Sequence, residues 1–324
     1  MEELLYDGTI NNYIETKGNN KPYCVIYEEE DEINDIKENL DFTNIPTTDL
    51  TIRITGKKQY SIILPETISK LTIEMLSDTT EPFFPKLIAT SNTKELNDIT
   101  FSTINSQKPI ICSVPSTITS VSFMSCKNIT IQQDHLSIES LEMSESQSCN
   151  IKSQETTVEM KDSEIIMNNI ENVLCFDIPS RKYNMQNVSK ANITSTENIT
   201  INSTPLKELI LSMEIILEQS MEVDETKEKE IIHLDGIEIE TLELNGMKYM
   251  DCYLPSTLQT LTLSYCNMLN LITLKPFDNE VDVTTDECID CQLNHDDLPT
   301  NSMGEFEDME EFVEDGDEII EEDY

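Results

Sequence analysis

Apolar residues along this chain recur in a fixed phrase rather than at a helical period. Three segments nearly superpose: Leu64-Pro65-Glu66-Thr67-Ile68-Ser69-Lys70-Leu71-Thr72-Ile73, Val114-Pro115-Ser116-Thr117-Ile118-Thr119-Ser120-Val121-Ser122-Phe123 and Leu254-Pro255-Ser256-Thr257-Leu258-Gln259-Thr260-Leu261-Thr262-Leu263. The shared pattern is apolar-Pro-(Ser/Glu)-Thr-apolar-x-x-apolar-x-apolar. Its second half recurs without the proline at Leu96/Ile99/Phe101, Ile138/Leu141/Met143, Ile170/Val173/Cys175, Leu206/Leu209/Leu211 and Ile239/Leu242/Leu244. Fainter copies are read at Leu50/Ile52, Val158/Met160 and Ala191/Ile193. The central apolar residue thus recurs at 50, 71, 99, 121, 141, 158, 173, 191, 209, 242 and 261.

The final apolar-x-apolar puts two side chains on one face of a short strand. The apolar residue three places earlier leads the chain into that strand from a core. Proline fixes φ and cannot serve as an inner ladder donor, so it belongs at the approach to the strand. One such unit cannot bury its own apolar edge, whereas stacked units bury a continuous ridge. The phrase therefore predicts a solenoid, with parallel strands centred near 71, 99, 121, 141, 209, 242 and 261.

Most steps lie near the roughly 20–29-residue window of leucine-rich repeats, and the chain resembles that family. Two copies extend into its cysteine-containing form: Ile118-x-x-Val121-x-Phe123-x-x-Cys126-x-x-Ile129 and Leu258-x-x-Leu261-x-Leu263-x-x-Cys266-x-x-Leu269. The Pro-Ser-Thr lead is similar to divergent repeats abundant in protists. The resemblance spans roughly 50–274. It implies a β-rich α/β fold, an irregular leucine-rich-repeat solenoid with a parallel β-sheet on its concave face. It also implies that Cys126 and Cys266 hydrogen-bond loop backbone. Leu76, Ile104, Ser146 and Glu214 stand where the family has Asn or Cys, so that ladder is expected to break there.

Outside the phrase the chain changes character. Residues 1–45 carry a possible strand, Tyr23-Cys24-Val25-Ile26-Tyr27, and an acidic run to Glu32, and are read as an N-terminal cap. Residues 46–275 are the solenoid, of about ten or eleven short coils. An acidic insert lies near 214–231. Residues 276–300 are read as a C-terminal cap. Residues 301–324 hold acidic but no basic residues and are expected to form a disordered tail.

Charge narrows the function. Asp and Glu number 63 against 21 Lys and Arg, a formal net charge of -42. Such a chain repels phosphate backbones and anionic membrane surfaces but permits a basic protein partner. The start, Met1-Glu2-Glu3-Leu4-Leu5-Tyr6-Asp7-Gly8, has no secretory pattern, and no apolar run has membrane-spanning length. A cytoplasmic protein is expected, with the nucleus as the alternative, and no membrane insertion.

Candidate chemistry is sparse. Cys288-Ile289-Asp290-Cys291 is a CxxC with His295 four residues on, one ligand short of a zinc site and without a thioredoxin-like setting. Neither a phosphate-binding glycine loop nor a nucleophile elbow is present. The expectation is a non-enzymatic protein with no metal and no cofactor. Its partner would bind outward residues of the strands: Lys70, Thr72 and Glu74; Ser120, Ser122 and Met124; Glu142; Glu208 and Ile210; Thr241 and Glu243; Thr260 and Thr262. The competing reading is an acidic, chaperone-like binder of basic proteins acting through the tail.

Overall fold

The computed structural model describes residues 2–5, 23–28, 39–43, 47–55, 61–75, 86–88, 95–161, 163–195, 199–213 and 229–295. These form a parallel β-solenoid of about ten turns. Among the described residues a regular turn is a front strand, a corner, a back strand and a second corner. The front strands stack in strict register. One inward column runs Leu50, Leu71, Ile99, Val121, Leu141, Val173, Ala191, Leu209, Leu242, Leu261, Val283. The repeat read from the sequence is thus a physical column, and the faint copies at Leu50 and Ala191 belong to it.

The back of each coil departs from expectation. A mixed α/β fold was expected from the family resemblance, but the described residues hold no helix. The back segments alternate as strands do. Lys127–Gln132 and Asn267–Thr273 bury every second residue. Their sequences, Lys-Asn-Ile-Thr-Ile-Gln and Asn-Met-Leu-Asn-Leu-Ile-Thr, suit a half-buried strand. A coil of some twenty residues spends nearly all of them on two strands and two corners, which leaves no room for a helical crossover.

Val158 and Met160 are a correction. They do not form a front rung. Thr157–Lys161 lies on the back face, antiparallel to Asn150–Lys152 and to the start of Glu164–Phe176, with Val158 opposite Ile151 and Met167. The link from Lys161 to Glu164 is too short to circle the core, and a short link permits only an antiparallel return. The front sheet therefore steps directly from Ser140–Ser144 to the end of Glu164–Phe176, pairing Leu141 with Val173.

The front ladder also continues past both ends of the repeat as read from sequence. Glu2–Leu5 pairs in parallel with Tyr23–Glu28, which pairs with Asp49–Thr55. Asp282–Asp286 stacks on Thr260–Ser264, and Gln292–His295 stacks on the back strand Asn267–Thr273. The acidic insert lies outside the described residues up to 228, and the tail 301–324 lies wholly outside them.

One apolar cluster fills the solenoid from Phe42 to Leu271. Each fully buried Leu or Ile contributes about 1.5–3 kcal/mol relative to exposure. Corners are set by backbone geometry. Seven residues leaving a front strand have positive φ: Thr103 (55°), Ser125 (50°), Glu145 (47°), Asp177 (47°), Gly246 (67°), Tyr265 (55°) and Glu287 (48°). The left-handed conformation costs a non-glycine residue energy, offset here by ladder bonds carried round the bend. Ser125 N donates to Ser144 O at 2.8 Å and Tyr265 N to Asp286 O at 2.9 Å.

The residue after each bend points inward. Cys126 Sγ donates to Phe101 O at 3.1 Å, and Cys266 Sγ to Leu244 O at 3.3 Å, each on the preceding coil. Both thiols therefore hold backbone, but of the preceding front strand rather than of the loop expected from the sequence. Ser146 corrects the expected break: its Oγ donates to Phe123 O at 2.9 Å and accepts Cys126 N at 3.0 Å. A hydroxyl does the work of the thiol. Ile104 instead fills the position with hydrocarbon.

The Thr of the Pro-led phrase has a parallel role at the other corner. Thr67 Oγ1 donates to Thr47 O (2.8 Å), Thr117 Oγ1 to Leu96 O (2.6 Å) and Thr257 Oγ1 to Ile239 O (3.1 Å). Each ties its turn to the coil before it.

Candidate functional site

Front strands alternate one residue in and one out, as in Ser140–Ser144 and Thr260–Ser264. The inward residues stack into the core, and the outward ones stack into columns across the rungs about 4.8 Å apart. All the outward residues singled out from the sequence lie on this face, in register. Lys70, Thr72 and Glu74 sit at one end, Thr260 and Thr262 near the other. Several satisfy neighbours on adjoining rungs. Ser122 is buried and donates to Glu142 Oε2 at 3.1 Å. Lys70 lies 3.8 Å from Asp98, and Lys190 lies 2.7 Å from Glu208. Within one rung, Asn245 Nδ2 donates to Glu243 Oε1 at 2.8 Å.

Two residues on this face were not picked out from the sequence, and they change its character. Leu174 and Phe176 point outward from the end of strand Glu164–Phe176, with 38% and 41% of their surface exposed. Phe176 shares a column with Met124, two rungs away across Ser144, and Met124 is 38% exposed. Leu174 shares a column with the half-buried Ile210, two rungs the other way across Asn192. Two rungs are about 10 Å. The four side chains therefore lie within five successive rungs, from Ser120–Met124 to Leu206–Met213, as an apolar island broken by Ser144 and Asn192 in a face otherwise chiefly of Ser, Thr, Asn, Asp, Glu and Lys. A signal was present in the sequence. Val173-Leu174-Cys175-Phe176 is apolar at four successive positions, which breaks the alternation of a half-buried strand.

The rim of the island is acidic. Glu142 and Glu208 flank it on the strands, and Glu145, Glu171 and Asp177 are exposed at the strand ends. Lys190 is a cation in this neighbourhood. Hydrogen bonding to Glu208 first, and then the charges of Glu208 and Glu171, hold its ammonium above the usual lysine range.

The opposite face has different chemistry. His233 stacks on Tyr253 of the next rung at 4.5 Å, and Lys229 lies 2.6 Å from Asp251, which also accepts Asn270 Nδ2 at 2.9 Å. Side-chain amides continue this ladder elsewhere on the back sheet, as where Asn202 Nδ2 donates to Asn184 Oδ1 at 2.9 Å. Most of these groups are spent on each other.

Thiol chemistry is muted inside the coils. Burial pushes the thiols of Cys112, Cys175 and Cys252 up to about 12 and that of Cys126 up to about 11. Among the described residues no group of three or more His, Cys, Asp and Glu side chains is placed to hold a metal ion. No described helix is long and apolar enough to cross a membrane. No protein-family model, no curated protein and no solved structure matches the chain.

Proposed function

We propose that this protein is a non-catalytic interaction scaffold whose protein partner docks on the outward face of the front sheet, anchored by Leu174 and Phe176. The observation that carries this reading is the apolar island. Half-exposed Leu and Phe side chains occupy outward positions on a sheet face whose other outward residues are chiefly Ser, Thr, Asn, Asp, Glu and Lys. Clustered apolar residues rimmed by polar groups are the usual form of a docking site. Aromatic anchors carry a disproportionate share of binding energy. The acidic rim selects a partner that brings an apolar side chain flanked by Lys or Arg, and it speeds encounter through steering. Kinship to leucine-rich repeats, with the front sheet as the concave face, belongs to the same proposal. It is supported by the repeated phrase and by the corner thiols of Cys126 and Cys266. The reading sets the protein in a reducing compartment, cytoplasmic or nuclear.

The experiment is affinity capture from the native cell with three forms: the full chain, Leu174→Asp/Phe176→Asp, and a chain ending at 300. Both substitutions lie on the outward face, so circular dichroism and thermal unfolding should match the unsubstituted chain. The scaffold reading requires that partners held by the full chain and by the shortened chain be lost from the double variant. Loss on shortening with retention by the double variant would assign capture to the acidic tail instead.

A further inference from the structure

We propose that Cys288 and Cys291 close into a reversible disulfide within one corner, a thiol modification site at the last described turn of the solenoid. The argument starts from the corner geometry. Leaving a front strand, the chain places a positive-φ residue, an inward residue, a linking residue, a second positive-φ residue and a second inward residue. Tyr265 (55°), Cys266, Asn267, Met268 (52°) and Leu269 show this, as do Glu145 (47°), Ser146, Gln147, Ser148 (57°) and Cys149. The two inward residues are three apart in sequence and meet inside the bend. In the last turn Glu287 (48°) and Asp290 (50°) repeat the pattern, and both inward positions are cysteines. The fold thus brings together two thiols that a spacing alone would leave ambiguous, near enough that the Cys288 side chain helps hold the Cys291 thiol up.

Access distinguishes this pair. Cys112, Cys126, Cys149, Cys175, Cys252 and Cys266 are buried, whereas Cys288 and Cys291 are half-buried. The reason is positional. The turn stacks on the one before it through Leu261–Val283 and Leu271–Leu293, and no further described strand pairs on its other side. Its inward side chains Val283, Cys288, Cys291 and Leu293 are accordingly only half-buried.

The bond change balances with a disulfide oxidant such as oxidised glutathione. The thiolate of one cysteine attacks a glutathione sulfur, forming a mixed disulfide and releasing one glutathione thiol. The second cysteine gives up its proton and displaces the other glutathione. Two S–H bonds are lost, one protein S–S bond forms, and the glutathione disulfide takes up two electrons and two protons to become two thiols. Burial holds the Cys291 thiol up at about 11. Closure should therefore accelerate about tenfold per pH unit below that value, because the thiolate is the reacting form. The reduced corner keeps two weak donations, Cys288 Sγ to Asp286 O at 3.3 Å and Cys291 Sγ to Ile289 O at 3.6 Å. Closure exchanges them for a covalent tie across the bend.

The test treats the full folded chain with oxidised glutathione, blocks free thiols with an alkylating agent, and maps the digest by mass spectrometry. The peptide holding both cysteines should appear unalkylated and lighter by two hydrogens, and a reductant should restore alkylation. Cys112, Cys126, Cys149, Cys175, Cys252 and Cys266 should take up the agent only after denaturation. Cys288→Ser keeps the corner intact, as Ser146 does in its own turn, and should stop at a glutathione adduct on Cys291. The proposal fails if the unsubstituted chain also stops at a stable glutathione adduct, if either cysteine pairs instead with Cys266 or with another chain, or if neither is oxidised.

Discussion

Ser146→Ala isolates one rung of the corner ladder. Ser146 is fully buried, and its hydroxyl joins two coils. It donates to Phe123 O at 2.9 Å, lies 2.8 Å from Ser144 O, and accepts the amide of Cys126, itself buried, at 3.0 Å. Alanine removes one oxygen and leaves almost no void, so the packing term is small. The cost is the Cys126 N–H, stranded without water or partner, together with the lost donation to Phe123. A buried donor left unpaired costs about 1–3 kcal/mol, and about 2 kcal/mol is expected here. That is a sizeable share of the roughly 5–15 kcal/mol that holds a domain together. Coils couple mainly to their neighbours, so the loss should be local. Amide hydrogen exchange at residues 125–127 and 146–148 should speed by about thirtyfold, the equivalent of 2 kcal/mol. Urea denaturation should show the same loss. Ser146→Cys is the companion. Cys126 and Cys266 hold this position with a thiol that reaches the preceding coil, at 3.1 Å and 3.3 Å. The Cys variant should therefore recover most of the stability. A loss under about 0.5 kcal/mol in the Ala variant, or a Cys variant less stable than Ala, would refute the ladder.

Three further outcomes are expected. Among the described residues Tyr183 is the largest fully buried side chain, and its hydroxyl has no hydrogen-bond partner there. Tyr183→Phe should therefore stabilise the protein by about 1 kcal/mol in urea denaturation, and a loss of that size would reveal a partner for the phenol. Thr103 is β-branched, exposed and held at φ 55°. Thr103→Gly should gain about 1 kcal/mol, and a chevron should show it mainly as slower unfolding if the bend forms late. His135 Nδ1 lies 2.9 Å from Glu155, whose hydrogen bond and charge raise the His135 pKa, while His135 lowers that of Glu155. The raised imidazole contributes below its unfolded pKa, and this is lost as pH rises through the folded one. The lowered carboxyl contributes above its unfolded pKa, and this is lost as pH falls through the folded one. The pair is therefore intact only between the two folded values. Glu155→Gln should lower the His135 midpoint followed by NMR, and an unchanged midpoint would break the pairing.

The stacking direction and the inward columns were legible before any coordinates. A residue that must face the core of every coil repeats as an apolar type, and the column from Leu50 to Leu261 follows the phrase. The Pro-led turns were legible for the same reason, although the bond each Thr makes to the preceding coil was not. Three things were decided only by tertiary contact. Val158 and Met160 match the phrase, yet a short link folds them back as an antiparallel strand, because loop length and not apolar spacing sets strand direction. Ser146 looked like a broken rung, yet it bonds as the thiols do, because the position demands a short donor and not one residue type. Leu174, Phe176, Met124 and Ile210 are scattered along the chain, and only register gathers them into one island. Periodicity reports what every coil has in common, namely its core. A binding face is built from what differs between coils, and such differences become neighbours only when the coils stack.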